Sequence, residues 1–181
     1  MVNPRYALVA YVRNAVGEFV EGLRRELHPD CPHLPAHLTI LPPRRLHGSE
    51  LAALESLEEI CSRVRPFEVE LGDVESFIPA TPTVFIRVGD GSRRMRDLHD
   101  QLSQDALAAA EEWPYMPHLT IIKITSQDLA HQAEIIARDR WAQFGGGRHI
   151  PVTELTFVRE REENQWIDLA GLPLGRSLVK G

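Results

Sequence analysis

Apolar positions along the chain alternate between a strand-like period of two and a helix-like period of 3.6, and the alternation runs through the same order twice. Arg5 to Val12 (RYALVAYV) is short, apolar and rich in β-formers, and predicts a buried strand. After Asn14, a suitable N-cap, Val16, Phe19, Val20, Leu23 and Leu27 recur at helical spacing until Pro29 ends the run. A loop with Pro29, Pro32 and Pro35 then leads into His37-Leu38-Thr39-Ile40, read as a strand. From Ser49, residues Leu51, Leu54, Leu57, Cys61 and Val64 mark a second amphipathic helix closed by Pro66. FEVELGDVESF follows as a strand, with Phe67, Val69 and Leu71 alternating against charged neighbours.

The second half repeats this order. Thr83 to Val88 predicts a strand, and Met95, Leu98, Leu102, Ala106 and Ala109 predict a helix ending before Pro114. His118-Leu119-Thr120-Ile121 comes next, again just after a proline-marked loop. Thr125 to Asp128 matches a capping box for a helix carrying Leu129, Ala133 and Ile136. Ile150 to Val158 and Gln165 to Ala170 predict the last two strands. The expectation is a pseudo-twofold, duplicated α+β fold: two lobes, each a mainly antiparallel sheet with helices on its outer face, and a central cleft carrying the two H-x-T motifs. One domain is expected over residues 1–181, with halves of about 1–78 and 79–181 meeting near Pro79 and Pro82. The period is far longer than that of a solenoid repeat.

Composition narrows the functions. The chain has 181 residues, 43% of them hydrophobic, enough for a real core. Acidic residues outnumber basic ones by 26 to 20, giving a net charge of -6 and no extensive cationic surface for long nucleic acid. A small phosphorylated ligand or a short RNA end remains a suitable partner. Two cysteines, Cys31 and Cys61, are too few for a disulfide scaffold and point to a reducing cytoplasm. The first residues read as a strand rather than a signal or membrane segment.

The duplicated tetrapeptide carries the chemistry. On a strand, His37 and Thr39 share one face while Leu38 and Ile40 anchor the other, and His118 and Thr120 repeat the arrangement. Two histidines flanking one phosphorus suit an in-line displacement, one as general base and the other as general acid, near the ordinary imidazole pKa of about 6.5. Threonine hydroxyls two residues on can donate to the non-bridging phosphate oxygens. The chance of meeting a specified tetrapeptide again in a chain of this length is on the order of one in a thousand. An idle duplicated strand is the structural alternative.

These paired H-hydrophobic-T-hydrophobic motifs resemble the hallmark of the 2H phosphoesterase superfamily, which includes 2′-5′ RNA ligase-like proteins and cyclic phosphodiesterases. The resemblance spans nearly the whole chain. It implies a metal-independent attack on a 2′,3′-cyclic phosphate, a 1″,2″-cyclic phosphate or a 2′-5′ phosphodiester, without a cofactor. By the motif match it implies His37 and His118 as the catalytic pair and Thr39 and Thr120 as the phosphate-binding pair. A non-catalytic nucleotide or RNA-end binding module and an ATP-independent 2′-5′ RNA ligase are the alternatives.

Other residues have competing readings. Lys123 stands where many such proteins carry a basic residue, although strict alternation puts it on the face opposite His118 and Thr120. Tyr115 can stack on a base, bond a phosphate oxygen or cap the edge of the core. Thr83, Phe85 and Arg87 share one face of their strand. Arg44 and Arg45 read as a surface loop, and His47, His99, His131 and His149 as surface or loop residues. His28, Cys31 and His33 cluster near His37 without regular ligand spacing, so no metal is expected. FGGGRH, Phe144 to His149, fits no nucleotide-binding glycine motif and reads as a flexible hairpin or lid.

Overall fold

The computed structural model describes residues 3–30 and 35–175. Its elements run β1 (Tyr6–Tyr11), α1 (Ala15–Leu27), β2 (His37–Arg44), α2 (Glu50–Arg63), β3 (Phe67–Ser76), β4 (Thr83–Val88), α3 (Ser92–Leu102), β5 (His118–Lys123), α4 (Gln127–Ala142), β6 (His149–Val152), β7 (Glu154–Glu162) and β8 (Gln165–Pro173). Cys31 and His33 lie outside the described residues.

All eight strands join in one antiparallel sheet, in the order β6-β3-β4-β5-β2-β1-β7-β8. The motif strands β2 and β5 are neighbours at its centre, so the two lobes meet edge to edge. One strand of each sequence half crosses to the other lobe: β3 lies between β4 and β6, and β7 pairs with β1. The run from Ile150 to Val158, predicted as one strand, divides at Thr153 into β6 and β7, which belong to opposite sides of the sheet. One residue cannot bridge a flat eight-stranded sheet, whose strands are about 4.8 Å apart. The sheet is therefore strongly curled.

The four helices cover one face. Leu38, Ile40, Leu119 and Ile121 are fully buried in a core shared with Val16, Val20 and Leu23 of α1, Leu57 of α2, Met95 and Leu98 of α3 and Trp141 of α4. Asn14 caps α1 by accepting from the backbone N–H groups of Val16 and Gly17. Gly17 lets α1 touch the end of β1: a Cβ there would stand 1.9 Å from the Val12 carbonyl oxygen.

Several elements depart from their predicted boundaries or faces. α3 stops at Leu102 instead of continuing through Ala109, because Asp105 takes a left-handed backbone (φ 50°) within a 3-10 turn, Asp105–Leu107, that drives Leu107 into the core. Ser126, not Thr125, caps α4 through the Leu129 N–H. α4 buries Ala130, Ala133, Ala137 and Trp141, while Leu129 and Ile136 are exposed; the small alanines let the helix lie close to the sheet. On α2, Ala53, Leu57 and Cys61 face inward and Leu51 faces solvent. FGGGRH connects α4 to β6, with Phe144 stacked on Trp141.

Candidate active site

β2 and β5 run antiparallel with Leu38 opposite Leu119. Continuing that register by one residue in each direction sets His37 across from Thr120 and Thr39 across from His118, all on the face the helices leave open. The two imidazoles then sit on a diagonal across the strand pair, near enough that a charge on His37 lowers the pKa of His118. Sequence alternation placed each His-Thr pair on a common face. The direct neighbourhood of the two strands completes the group of four.

Each histidine is oriented in the same way. His37 Nδ1 is 2.8 Å from the Pro35 carbonyl oxygen, and His118 Nδ1 is 2.6 Å from that of Met116. A carbonyl only accepts, so Nδ1 carries the proton and Nε2 presents its lone pair. Neither Nε2 nor either threonine hydroxyl has a hydrogen-bond partner among the described residues. The four groups remain available to a ligand.

Burial pushes both imidazole pKa values below the ordinary range, against the opposing effect of the carbonyl bonds. The Arg24 guanidinium depresses His37 further, and a charge on His37 depresses His118. The rings therefore sense one another and resist being charged together.

Past Leu38 and Leu119 the two strands diverge, and side chains from other elements satisfy the exposed carbonyls. Tyr115 Oη donates to the Thr39 carbonyl at 2.8 Å, while Arg24 donates to Thr120 and Ile121 at 3.1 and 2.8 Å. Tyr115 thus wedges the two strands, its ring stacked on His99 at 4.1 Å. His99 is buried, contrary to its expected surface position, with Nε2 2.6 Å from Glu111. Glu111 also receives Arg44, which is buried at the end of β2 instead of lying in a surface loop. Arg44 further donates to Pro42, Ser103 and Leu107, tying the segment before the second motif to the strand bearing the first.

Two matching bulges reset the faces. In β2, Thr39 faces Val9 while Leu41 faces Leu8; in β5, Thr120 faces Phe85 while Ile122 faces Val84. Ile40 and Ile121 are the extra residues. The second bulge returns exposed Lys123, opposite Thr83, to the face of His118 and Thr120, where strict alternation had excluded it. Phe85, Thr83 and Arg87 share that face. Phe77 and Phe85 each pack edge-on against His118 at 5.1 Å, and Arg87, opposite His118, pairs with Glu75.

On the other flank Tyr11 is the register partner of His37, and its hydroxyl donates to Asp168 at 2.5 Å. Burial raises the Tyr11 phenol pKa, and the Asp168 bond raises it further, so the group stays a donor. Sequence reasoning passed over Tyr11, Asp168, Phe77 and Arg24. Arg24 alone left a trace, as a charged residue one turn after Val20 on the apolar stripe of α1.

A curled antiparallel sheet with its helices on one face and twin His-Thr strands at the centre of the other defines a class of phosphoesterase-like folds. A family model for the 2′-5′ RNA ligase superfamily matches residues 12–164, and the chain belongs to that superfamily. The “Putative phosphoesterase” of Oceanobacillus iheyensis is 24% identical over 175 residues, covering 95% of this chain and 99% of that protein. Among solved structures, E. coli LigT complexed with NADP+ aligns with a TM-score of 0.66 and 18% identity, covering 96% of this chain and 99% of LigT. TT0787 of Thermus thermophilus aligns with a TM-score of 0.65 and 14% identity, covering 94% and 98% of the two chains. At such identities the structural matches establish the fold alone.

Proposed function

We propose that the protein is a metal-independent phosphoesterase that opens a 2′,3′- or 1″,2″-cyclic phosphate or cleaves a 2′-5′ phosphodiester, with His37 and His118 as its acid-base pair. The observation carrying this reading is the matched orientation of the two rings, each held through Nδ1 by a carbonyl two residues upstream, with both Nε2 atoms unspent. E. coli LigT has been crystallised with 3′-AMP, ATP and NADP+, which supports a small nucleotide as the ligand class for this chain.

The reaction calls for one protonated and one neutral ring. A phosphate anion between them raises both pKa values, while repulsion between the rings opposes double protonation. The pair is near-symmetric, and either ring can serve as the base while the other serves as the acid. In the opening of a cyclic phosphate with His37 as the base, its Nε2 takes a proton from water as the water oxygen bonds phosphorus. The bond from phosphorus to one ribose oxygen breaks, and His118 delivers its proton to that oxygen. Thr39 and Thr120 donate to the non-bridging oxygens, and Lys123 on the same face attracts the anion. Tyr115 acts as a positioning residue through Thr39. With a 5′-hydroxyl in place of water, the same pair performs 2′-5′ ligation by microscopic reversibility.

The test is a panel of 2′,3′-cyclic mononucleotides, ADP-ribose 1″,2″-cyclic phosphate and 2′-5′ dinucleotides, assayed with EDTA present. Turnover that falls by about 10²–10⁴-fold in His37→Ala and in His118→Ala, with ligand binding retained, is the expected result. Binding without turnover across the panel assigns the protein to the non-catalytic class.

A further inference from the structure

Across three strands of the open face, one cation stands between two groups that can claim it. Phe85 of β4 is opposite Glu75 of β3 on one side and opposite Thr120 of β5 on the other. Arg87, two residues further along β4, shares their face and is the register partner of His118. It is therefore diagonal both to Glu75 and to Thr120, and a ladder diagonal is within reach of a long side chain. The guanidinium takes the outward choice: Nε and Nη2 both donate to the Glu75 carboxylate, the latter at 3.2 Å. The inward choice leads to the hydroxyl of Thr120 and the ring of His118.

That inward position is accessible. The side chains of Arg87 and Glu75 are 46% and 35% exposed, so neither is packed in place. The guanidinium also borders a cavity of about 770 Å³, shared with Asp73, Arg138 and Arg148, which leaves it room to turn. An exposed ion pair contributes little to stability. A planar guanidinium donates to two oxygens of a phosphate as readily as to two of a carboxylate, so an exchange conserves its hydrogen bonds. The flank of His37 has no such cation, since the register partner there is Tyr11, a phenol tied to Asp168. Lys123, the other cation near Thr120, has no ion-pair partner among the described residues and so is not held back in the same way.

The geometry points to Arg87 as a substrate-contacting residue that Glu75 holds in reserve: a phosphate bound at the two motifs draws the guanidinium off Glu75 and onto a non-bridging oxygen. This rests on the phosphoesterase reading above and adds to it a contact from outside both motifs. Charge on the non-bridging oxygens grows as the attacking oxygen closes on phosphorus, so the exchange favours the transition state over the bound substrate. Glu75 sets the threshold by withholding the cation from weakly charged ligands.

The experiment is a two-by-two cycle of Glu75→Gln and Arg87→Ala, with kcat and KM measured on adenosine 2′,3′-cyclic phosphate and folding verified by melting curves. Arg87→Ala is expected to lower kcat/KM by about tenfold or more, mainly through kcat, with Arg87→Lys falling between it and the parent. Glu75→Gln, which frees the guanidinium, is expected to lower KM by about threefold or more when Arg87 is present and to leave it unchanged when Arg87 is alanine. Glu68→Gln makes the same charge change at another exposed position of β3 and is expected to leave KM unaltered. An Arg87→Ala effect below about twofold overturns the proposal while leaving the phosphoesterase intact. So does a Glu75→Gln effect that persists without Arg87 or is matched by Glu68→Gln. Should the parent protein turn over none of the cyclic phosphates or 2′-5′ dinucleotides, the phosphoesterase reading fails, and the exchange is judged by calorimetric binding of 3′-AMP across the same cycle. Tighter binding in Glu75→Gln that requires Arg87 supports it; equal affinities, or no binding in any of the four proteins, refute it.

Discussion

Replacing Tyr115 by phenylalanine removes one oxygen and tests how the two motif strands are held apart. The Tyr115 hydroxyl donates to Thr39 O at 2.8 Å, where β5 has diverged from β2 and offers no ladder partner. The ring can keep its stack on His99 at 4.1 Å, so the variant loses the hydrogen bond without opening a large cavity. A neutral hydrogen bond contributes about 0.5–1.5 kcal/mol net, and a carbonyl left unpaired in a partly buried wedge adds to the loss, so the expected destabilisation is about 1–2 kcal/mol. For a chain of this size that lowers Tm by about 2–8 °C, readable by differential scanning calorimetry. Because Thr39 carries a proposed phosphate donor, kcat on a cyclic nucleotide falls alongside. The alternative, in which Tyr115 bonds the ligand directly, raises KM and leaves Tm of the free protein unchanged. An unaltered Tm in Tyr115→Phe refutes the positioning role.

Further perturbations follow from the packing and the charges. Gly17→Ala places a methyl 1.9 Å from Val12 O, so α1 must move off β1; a loss of more than about 2 kcal/mol in urea unfolding is expected, and a stability within about 0.5 kcal/mol of the parent contradicts the close approach. Arg44→Met strips Glu111, Ser103 and the Pro42 and Leu107 carbonyls of a shared donor whose side chain is 2% exposed; the expected loss is about 3–5 kcal/mol by denaturant titration, and a neutral effect refutes the network. The depressed pKa values of His37 and His118 mean that the unfolded chain binds more protons as pH falls below about 6.5. Their contribution is favourable to folding above that pH and is lost progressively below it, until the folded rings protonate. The difference in Tm between the parent and a His37→Ala, His118→Ala double variant, followed from pH 8 to pH 5, should shrink or invert toward acid; a pH-independent difference argues against depression of either ring.

The repeat of strand and helix signals was legible because each element has a strong period and a clear stop, such as Asn14 and Pro29 around α1. The sharing of one face by His37 and Thr39, or by His118 and Thr120, followed from strand alternation alone. What the chain concealed depends on tertiary packing. A pair of adjacent apolar residues, Ile40-Leu41 or Ile121-Ile122, reads as ordinary core; only the pairing of β1 and β4 with the motif strands reveals a bulge and the return of Lys123 to the motif face. Alanines carry a weak hydrophobic signal, so of the expected stripe Leu129, Ala133 and Ile136 only Ala133 is buried, and close approach to the sheet selects Ala130 and Ala137 beside it. Arg44 and His99 look like surface residues until Glu111, brought in by the segment after α3, supplies the charge that lets them be buried. The split at Thr153 has no local marker, because its cause is the curl of the whole sheet.

Because β3 resides wholly among strands of the later half, and β7 beside the first, the duplicated units are clasped like folded arms. Neither unit, separated at the β3–β4 turn, would retain a complete set of strand neighbours, and each would expose an unsatisfied border. An ancestral single-copy unit built on this plan would have been obliged to work as an arm-exchanged pair, with its one imidazole meeting that of a twin. Fusion into one polypeptide freed the two rings to diverge, and Arg24, whose charge lowers the pKa of His37, is a place where that freedom is visible.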